Sequence, residues 1–187
     1  MDKTVSLVEL ELARVNWSKL REIRSSFGEK IVSSDYVPSV IMALLNAKDL
    51  KEVEELEWKI DNNIVVQGQL FEAAEYLVPV LIVSLLEVPQ GFIKNTFLEL
   101  LFQIVAGVPD QSEVALGNYD LAERCREKAR EGLWILYKEL IDGDEVQCAF
   151  VFDVLERIET DSSRLEAISR AKSDAESTMS IFETKLT

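Results

Sequence analysis

Residues 36–45, Tyr-Val-Pro-Ser-Val-Ile-Met-Ala-Leu-Leu, return in altered form at residues 77–86, Leu-Val-Pro-Val-Leu-Ile-Val-Ser-Leu-Leu, so that Val37-Pro38 reappears 41 positions later as Val78-Pro79. A fixed period of about 40 to 47 residues in a helical chain marks architectures built by stacking helix pairs. Each pair exposes an apolar face that it cannot bury alone, so the chain is pushed toward a stack. The echo extends to the second helix of each pair, because Leu56 and Ile60 map onto Phe97 and Leu101 under the same shift.

The rest of the chain agrees with an all-α reading. Glycine and proline are scarce, at 7 and 4 residues, and apolar residues recur at three- and four-residue spacing almost throughout. Asn16 is placed to cap a helix over Trp17-Leu20-Ile23, with Gly28 as its stop, and Asp35 to cap one whose first turn holds Pro38. Asp49 caps the return helix through Val53 and Ile60, and Gly68 reads as a tight start for a helix from Gln69 that contains Pro79. Pro89 and Gly91 turn the chain into a helix ending near Gly107. After a polar loop over 110–117, Asn118 opens a long helix through Cys125, Leu133 and Leu140. Asp142-Gly143-Asp144 is a capping turn, and Asp161 or Ser162 starts the last helix. The expected fold is a short α-α superhelix of antiparallel helix pairs, about eight helices in one domain over 1–187, with residues 34–107 the two clearest repeats. The polar tail 172–187 is expected to fray, with Ile181 and Phe182 available to dock.

With 34 acidic against 20 basic residues the net charge is −14, and the excess is uneven. Between Asp61 and Asp120 Lys94 is the only base, and between Glu139 and Glu159 Arg157 is. Such a field repels nucleic acid and anionic membrane and speeds association with a basic partner, while also serving solubility. The opening Met1-Asp2-Lys3-Thr4 has neither a secretory layout nor a myristoylation glycine, and the apolar run 77–86 is too short to span a bilayer, so a soluble cytoplasmic protein is expected.

Chemistry is hard to find in this composition. No histidine is present, and no phosphate-binding glycine loop or nucleophile elbow occurs. Cys125 and Cys148 lack metal-ligand spacing and read as buried free thiols. Asp142-Gly143-Asp144-Glu145 lacks the alternating ligands of a calcium loop. No enzyme activity, cofactor or metal is expected. Trp17, Trp58 and Trp134 fall on or beside apolar stripes and read as core or inter-helix residues.

Several blocks carry a resemblance. Asn16-Trp17-Ser18-Lys19-Leu20, Ser26-Phe27-Gly28, Val37-Pro38, Val66-Gln67-Gly68-Gln69-Leu70-Phe71-Glu72-Ala73-Ala74 and Val78-Pro79-Val80-Leu81 occur in that order, within roughly the first 110 of 187 residues. Together they resemble a family of bacterial HEAT-repeat-like proteins, some members of which look like immunity proteins of polymorphic or contact-dependent toxin systems. Val66 stands where that family carries a histidine, and Ser26-Phe27 where it carries Ala-Tyr, so a role for that histidine does not transfer. The resemblance implies an α-α repeat fold and a binding function. HEAT-like DNA glycosylases need a basic groove, which is opposite in sign to this chain.

The expected function is therefore an immunity protein that neutralises a cognate toxin domain, a basic nuclease, through an acidic surface; the alternative is a HEAT-like adaptor within an intracellular complex. The expected toxin-binding residues are Glu72, Glu75, Glu99, Asp110, Glu113, Asp120, Glu139, Asp142, Asp144 and Glu145.

Overall fold

Ser6 opens the first helix, α1 (Leu7–Arg14), by accepting a hydrogen bond from the amide of Glu9. Two further amides of that first turn, Leu7 and Val8, donate to Glu87 from a distant helix, at 2.6 and 3.2 Å. The open donors of a helix start are thus satisfied by tertiary contact, and α1 is tied to its neighbour as it forms. The computed structural model describes residues 5–23, 34–88 and 91–184, with side chains through Asp174. Gly28, the Ser26-Phe27 block and Pro89 lie outside the described residues, as do the side chains of Ile181 and Phe182.

A 3-10 turn (Trp17–Lys19) stands where a helix capped by Asn16 was expected, and Asn16 makes no side-chain cap bond. The first pair is α2 (Val37–Leu45), with Pro38 in its first turn, and α3 (Leu50–Asp61), capped by Asp49 on the amide of Glu52. Tyr36, rather than Asp35, occupies the cap position of α2. The second pair is α4 (Ala73–Glu87), with Pro79 inside it, and α5 (Phe92–Ala106). The chain continues through α6 (Gln111–Ala115), α7 (Leu121–Arg130), α8 (Leu133–Asp142), α9 (Glu145–Ile158) and α10 (Ser162–Thr184). The fold is all-α, with ten α-helices among the described residues, the last running from Ser162 to Thr184.

The 41-residue echo is visible as burial. Val37, Ile41 and Leu44 are buried in α2, and their counterparts Val78, Ile82 and Leu85 are buried in α4. Ile60 and Leu101 are likewise both buried. The copies differ in length, since Pro38 sits in the first turn of α2 while α4 begins six residues before Pro79. There the missing amide leaves the Glu75 carbonyl without its helical donor.

Two features depart from the expected helix-only pattern. Val65–Val66 (β1) pairs antiparallel with Gln69–Leu70 (β2), and Val108–Pro109 (β3) adds parallel to β2. Gly68 is therefore not a helix start. It shares a two-residue hairpin turn with Gln67, both at positive φ (53° and 78°), the conformation that matches strand twist and favours glycine. The long helix expected from Asn118 is interrupted at Glu131-Gly132, giving α7 and α8. A Cβ on Gly132 would lie 2.5 Å from Ile82 Cγ2, so glycine lets this break pack against α4.

α5 packs against α3, α4, α7 and α9, while α4 packs against α1, α5, α7 and α8, and α8 packs against α9. The core runs between these helices, through Leu77, Leu81, Phe97, Leu101, Leu136 and Val154. Among the described residues no helix is long and apolar enough to cross a membrane.

Candidate partner-binding surface

The ten carboxylates selected from sequence fall into five settings. Glu72, Glu75, Glu113 and Asp120 belong to one network around two arginines. Arg21 Nε and Nη2 grip Glu113 in a two-pronged pair at 3.1 and 2.8 Å, and its Nη1 lies 3.1 Å from Glu72. Asn118 donates to Glu113 at 2.7 Å, and Arg124 pairs with Glu75 at 2.8 Å and with Asp120. Glu113 is buried, so it is not part of an outer acidic face. Burial alone would raise its pKa, but the hydrogen bonds from Arg21 and Asn118 and the arginine charge outweigh it and hold the carboxyl below its ordinary value. Asp110 is used as the cap of α6, accepting from the Ser112 amide at 2.8 Å.

Glu139 is the second correction to an acidic face. It is buried between helices with Lys94, Nζ to Oε2 at 2.8 Å. The turn between α8 and α9 holds Asp142, Asp144 and Glu145, all exposed. Asp142 pairs with Lys138, and Asp144 forms a capping box with Gln147, the capping role expected of this turn.

Glu99 differs from the other nine. It stands half-buried on α5, where it acts on Glu57 of α3 together with Asp61 and Glu54. Burial is the largest cause that raises Glu57, followed by these three like charges, and its carboxyl is pushed up to about 7. Asp61 is raised by burial as well. Trp58, 64% exposed, lies on the same helix with Leu50 and Glu54 at four-residue intervals. Four carboxylates on two packed helices, beside an exposed tryptophan, make a locally repulsive surface.

Glu54 and Glu57, flanked by Lys51 and Lys59 on α3, lie outside the two base-poor stretches from which the acids were selected. The fold turns Lys51 toward Glu55, 3.7 Å away on the outside, and brings in Glu99 from the neighbouring helix. The tryptophans also divide. Trp17 is buried, its Nε1 donating to the Leu12 carbonyl at 2.9 Å, whereas Trp58 and Trp134 (71% exposed) are not core residues. Trp134 instead sits under the Arg164 guanidinium, 5.5 Å from the ring centre, a cation–π contact. Cys125 is buried, which raises its thiol to about 12, while Cys148 is only half-buried; both are free thiols.

No protein-family model, curated protein or solved structure matches this chain.

The Glu57 cluster makes stability depend on pH in a set direction. Its folded-state value of about 7 lies above the ordinary 4.5, so between those values the folded chain holds more protons than the unfolded one. Stability from this site is present below pH 4.5 and lost as pH rises through 7. Glu57→Gln is expected to raise unfolding free energy by about 1–2 kcal/mol at pH 8, allowing for solvent screening, and to change little at pH 4.5. Urea unfolding at the two pH values measures this; an equal effect at both would remove the repulsion from the account.

Proposed function

We propose that this chain is an immunity protein that binds a cognate bacterial toxin domain and neutralises it by covering a basic face. The observation that carries the reading is the acidic group on α3 and α5, in which half-buried Glu57 is raised first by burial and then by the like charges of Glu99, Asp61 and Glu54. Such a cluster costs stability in the free protein, and a cationic partner relieves the cost on binding. Exposed Trp58 supplies the large, stiff side chain that typically anchors a protein interface.

The scaffold suits this role. α3 packs against α5, so the carboxylates on the two helices are presented with little ordering left to do on binding. The toxin's own basic residues, those that would grip a polyanionic substrate such as nucleic acid, are the natural complement. Occupying them blocks substrate access, and opposite charges steer the encounter. This role belongs in the cytoplasm of the producing cell.

Co-expression tests the reading. The role requires a toxin domain encoded beside this chain, and cells producing that domain are expected to survive when this chain is supplied and to die without it. Death despite abundant soluble immunity protein would rule the role out and leave the adaptor alternative.

A further inference from the structure

Between Val108 and Asp120 the usual burial order is inverted. The acid Glu113 is 1% exposed, while Val114, Leu116 and Tyr119 are 48%, 64% and 76% exposed, and Val108 is exposed as well. An ordinary segment would turn its apolar side chains inward and its carboxylate outward, so a buried charge together with an exposed apolar patch calls for a reason.

The inversion is built by specific bonds. Glu113 accepts from Arg21, from Asn118 Nδ2 and from the Glu72 amide, and its own carbonyl accepts from the Asn118 amide at 2.9 Å. The segment is anchored before and after. The Asp110 amide donates to the Leu70 carbonyl at 3.0 Å, and Leu121 is buried at the start of α7. Gly117, at φ 92°, makes the bend from which Leu116 and Tyr119 project. With the carboxylate pinned inside, the backbone that carries these apolar side chains is tied down, which lowers the ordering cost of docking.

We infer that the 108–120 segment is an apolar docking knob for a recess lined by apolar side chains and rimmed by lysine or arginine, on the same basic partner; this inference rests on the function proposed above. Charge decides the rim. From Asn95 to Glu123 the chain has no basic residue, and Asp110 and Asp120 flank the apolar group. Arg21 and Arg124, which approach from other parts of the chain, are engaged with Glu72, Glu113, Glu75 and Asp120. A second copy of this chain, at net −14, is a poor occupant of such a site. Leu116 and Tyr119 act as anchors that set how long the complex lasts, whereas the Glu57 cluster sets how fast it forms.

The test uses the full chain and the toxin domain encoded in the adjacent reading frame, purified as an inactive variant. Dissociation and association rates are measured for wild type and for Leu116→Ala/Tyr119→Ala, with hydrogen exchange of residues 112–120 in the free and bound states. Both substituted side chains are exposed, so the thermal melt of the variant is expected to match wild type. Dissociation should speed up by about 10-fold or more with association changed less than about 3-fold, and residues 112–120 should gain protection in the complex. Wild-type binding with unchanged dissociation of the double variant, or no gain in protection, overturns the docking knob alone. No binding by wild type overturns the proposed function and the partner assigned here. A wild-type dimer that the double variant loses would replace the toxin by a second copy and overturn this inference.

Discussion

Replacing Glu139 by alanine is expected to lower the unfolding free energy by about 3–5 kcal/mol, the largest effect on stability foreseen for any single substitution considered. Lys94 Nζ and Glu139 Oε2 are 2.8 Å apart, and both side chains are buried between α5 and α8. Removing the carboxylate leaves an ammonium in the interior without its counter-charge, and a domain of ordinary stability has only about 5–15 kcal/mol in total. The paired change Lys94→Met/Glu139→Leu removes both charges while keeping similar volume, and is expected to return to within about 1 kcal/mol of wild type or exceed it, since apolar packing commonly equals a buried ion pair. Urea unfolding at pH 7 of the single and paired variants measures the contrast. A single variant within about 0.5 kcal/mol of wild type would show that Lys94 finds another route to water.

The pair also marks a limit of sequence reading. Glu139 follows Tyr137 and Lys138 in a stretch whose spacing makes it look like one more surface acid, and its partner lies 45 positions away. Glu113 is the same kind of case. Its tripod of Arg21, Asn118 and the Glu72 amide joins three separate parts of the chain. Local signals were readable: Asp49 caps α3, Pro38 fits the first turn of α2, and the shift of 41 carries buried residues onto buried residues. The hairpin at Gln67-Gly68 was not, because two-residue strands leave no alternation to read and the pairing of β2 with β3 is non-local. Among the described residues Trp58 is neither core nor inter-helix, and Trp134 reaches another helix only through Arg164, for a related reason. Helical spacing tells which residues share a stripe, but which stripe faces the core is settled by the neighbouring helices.

The acidic α3–α5 face was legible in the sequence only in part. Glu99 was selected from sequence as one acid in a base-poor stretch, yet its significance comes from Glu54, Glu57 and Asp61 on the facing helix. Charge counting along a chain measures net excess, whereas repulsion depends on distance in the fold.

The second large effect follows from that repulsion. Glu54→Lys/Glu57→Lys/Glu99→Lys converts the α3–α5 face from repelling to attracting anions, and is expected to slow association with the toxin domain by about 10–100-fold at low salt. A control triple, Glu127→Lys/Glu156→Lys/Glu166→Lys, makes the same change in net charge on α7, α9 and α10, at positions that are exposed. It is expected to slow association by less than about 3-fold, because only nearby charges act strongly once salt shortens their reach to about 10 Å.

The central claim, that the acidic α3–α5 face receives a basic toxin domain, is tested most directly by the association rate measured across ionic strength for wild type and these two triples. The wild-type rate should fall steeply as salt rises, the control triple should follow it closely, and the α3–α5 triple should start low and lose most of its salt dependence. Equal rates and equal salt slopes for the two triples would contradict the claim, showing that this face does not receive the partner.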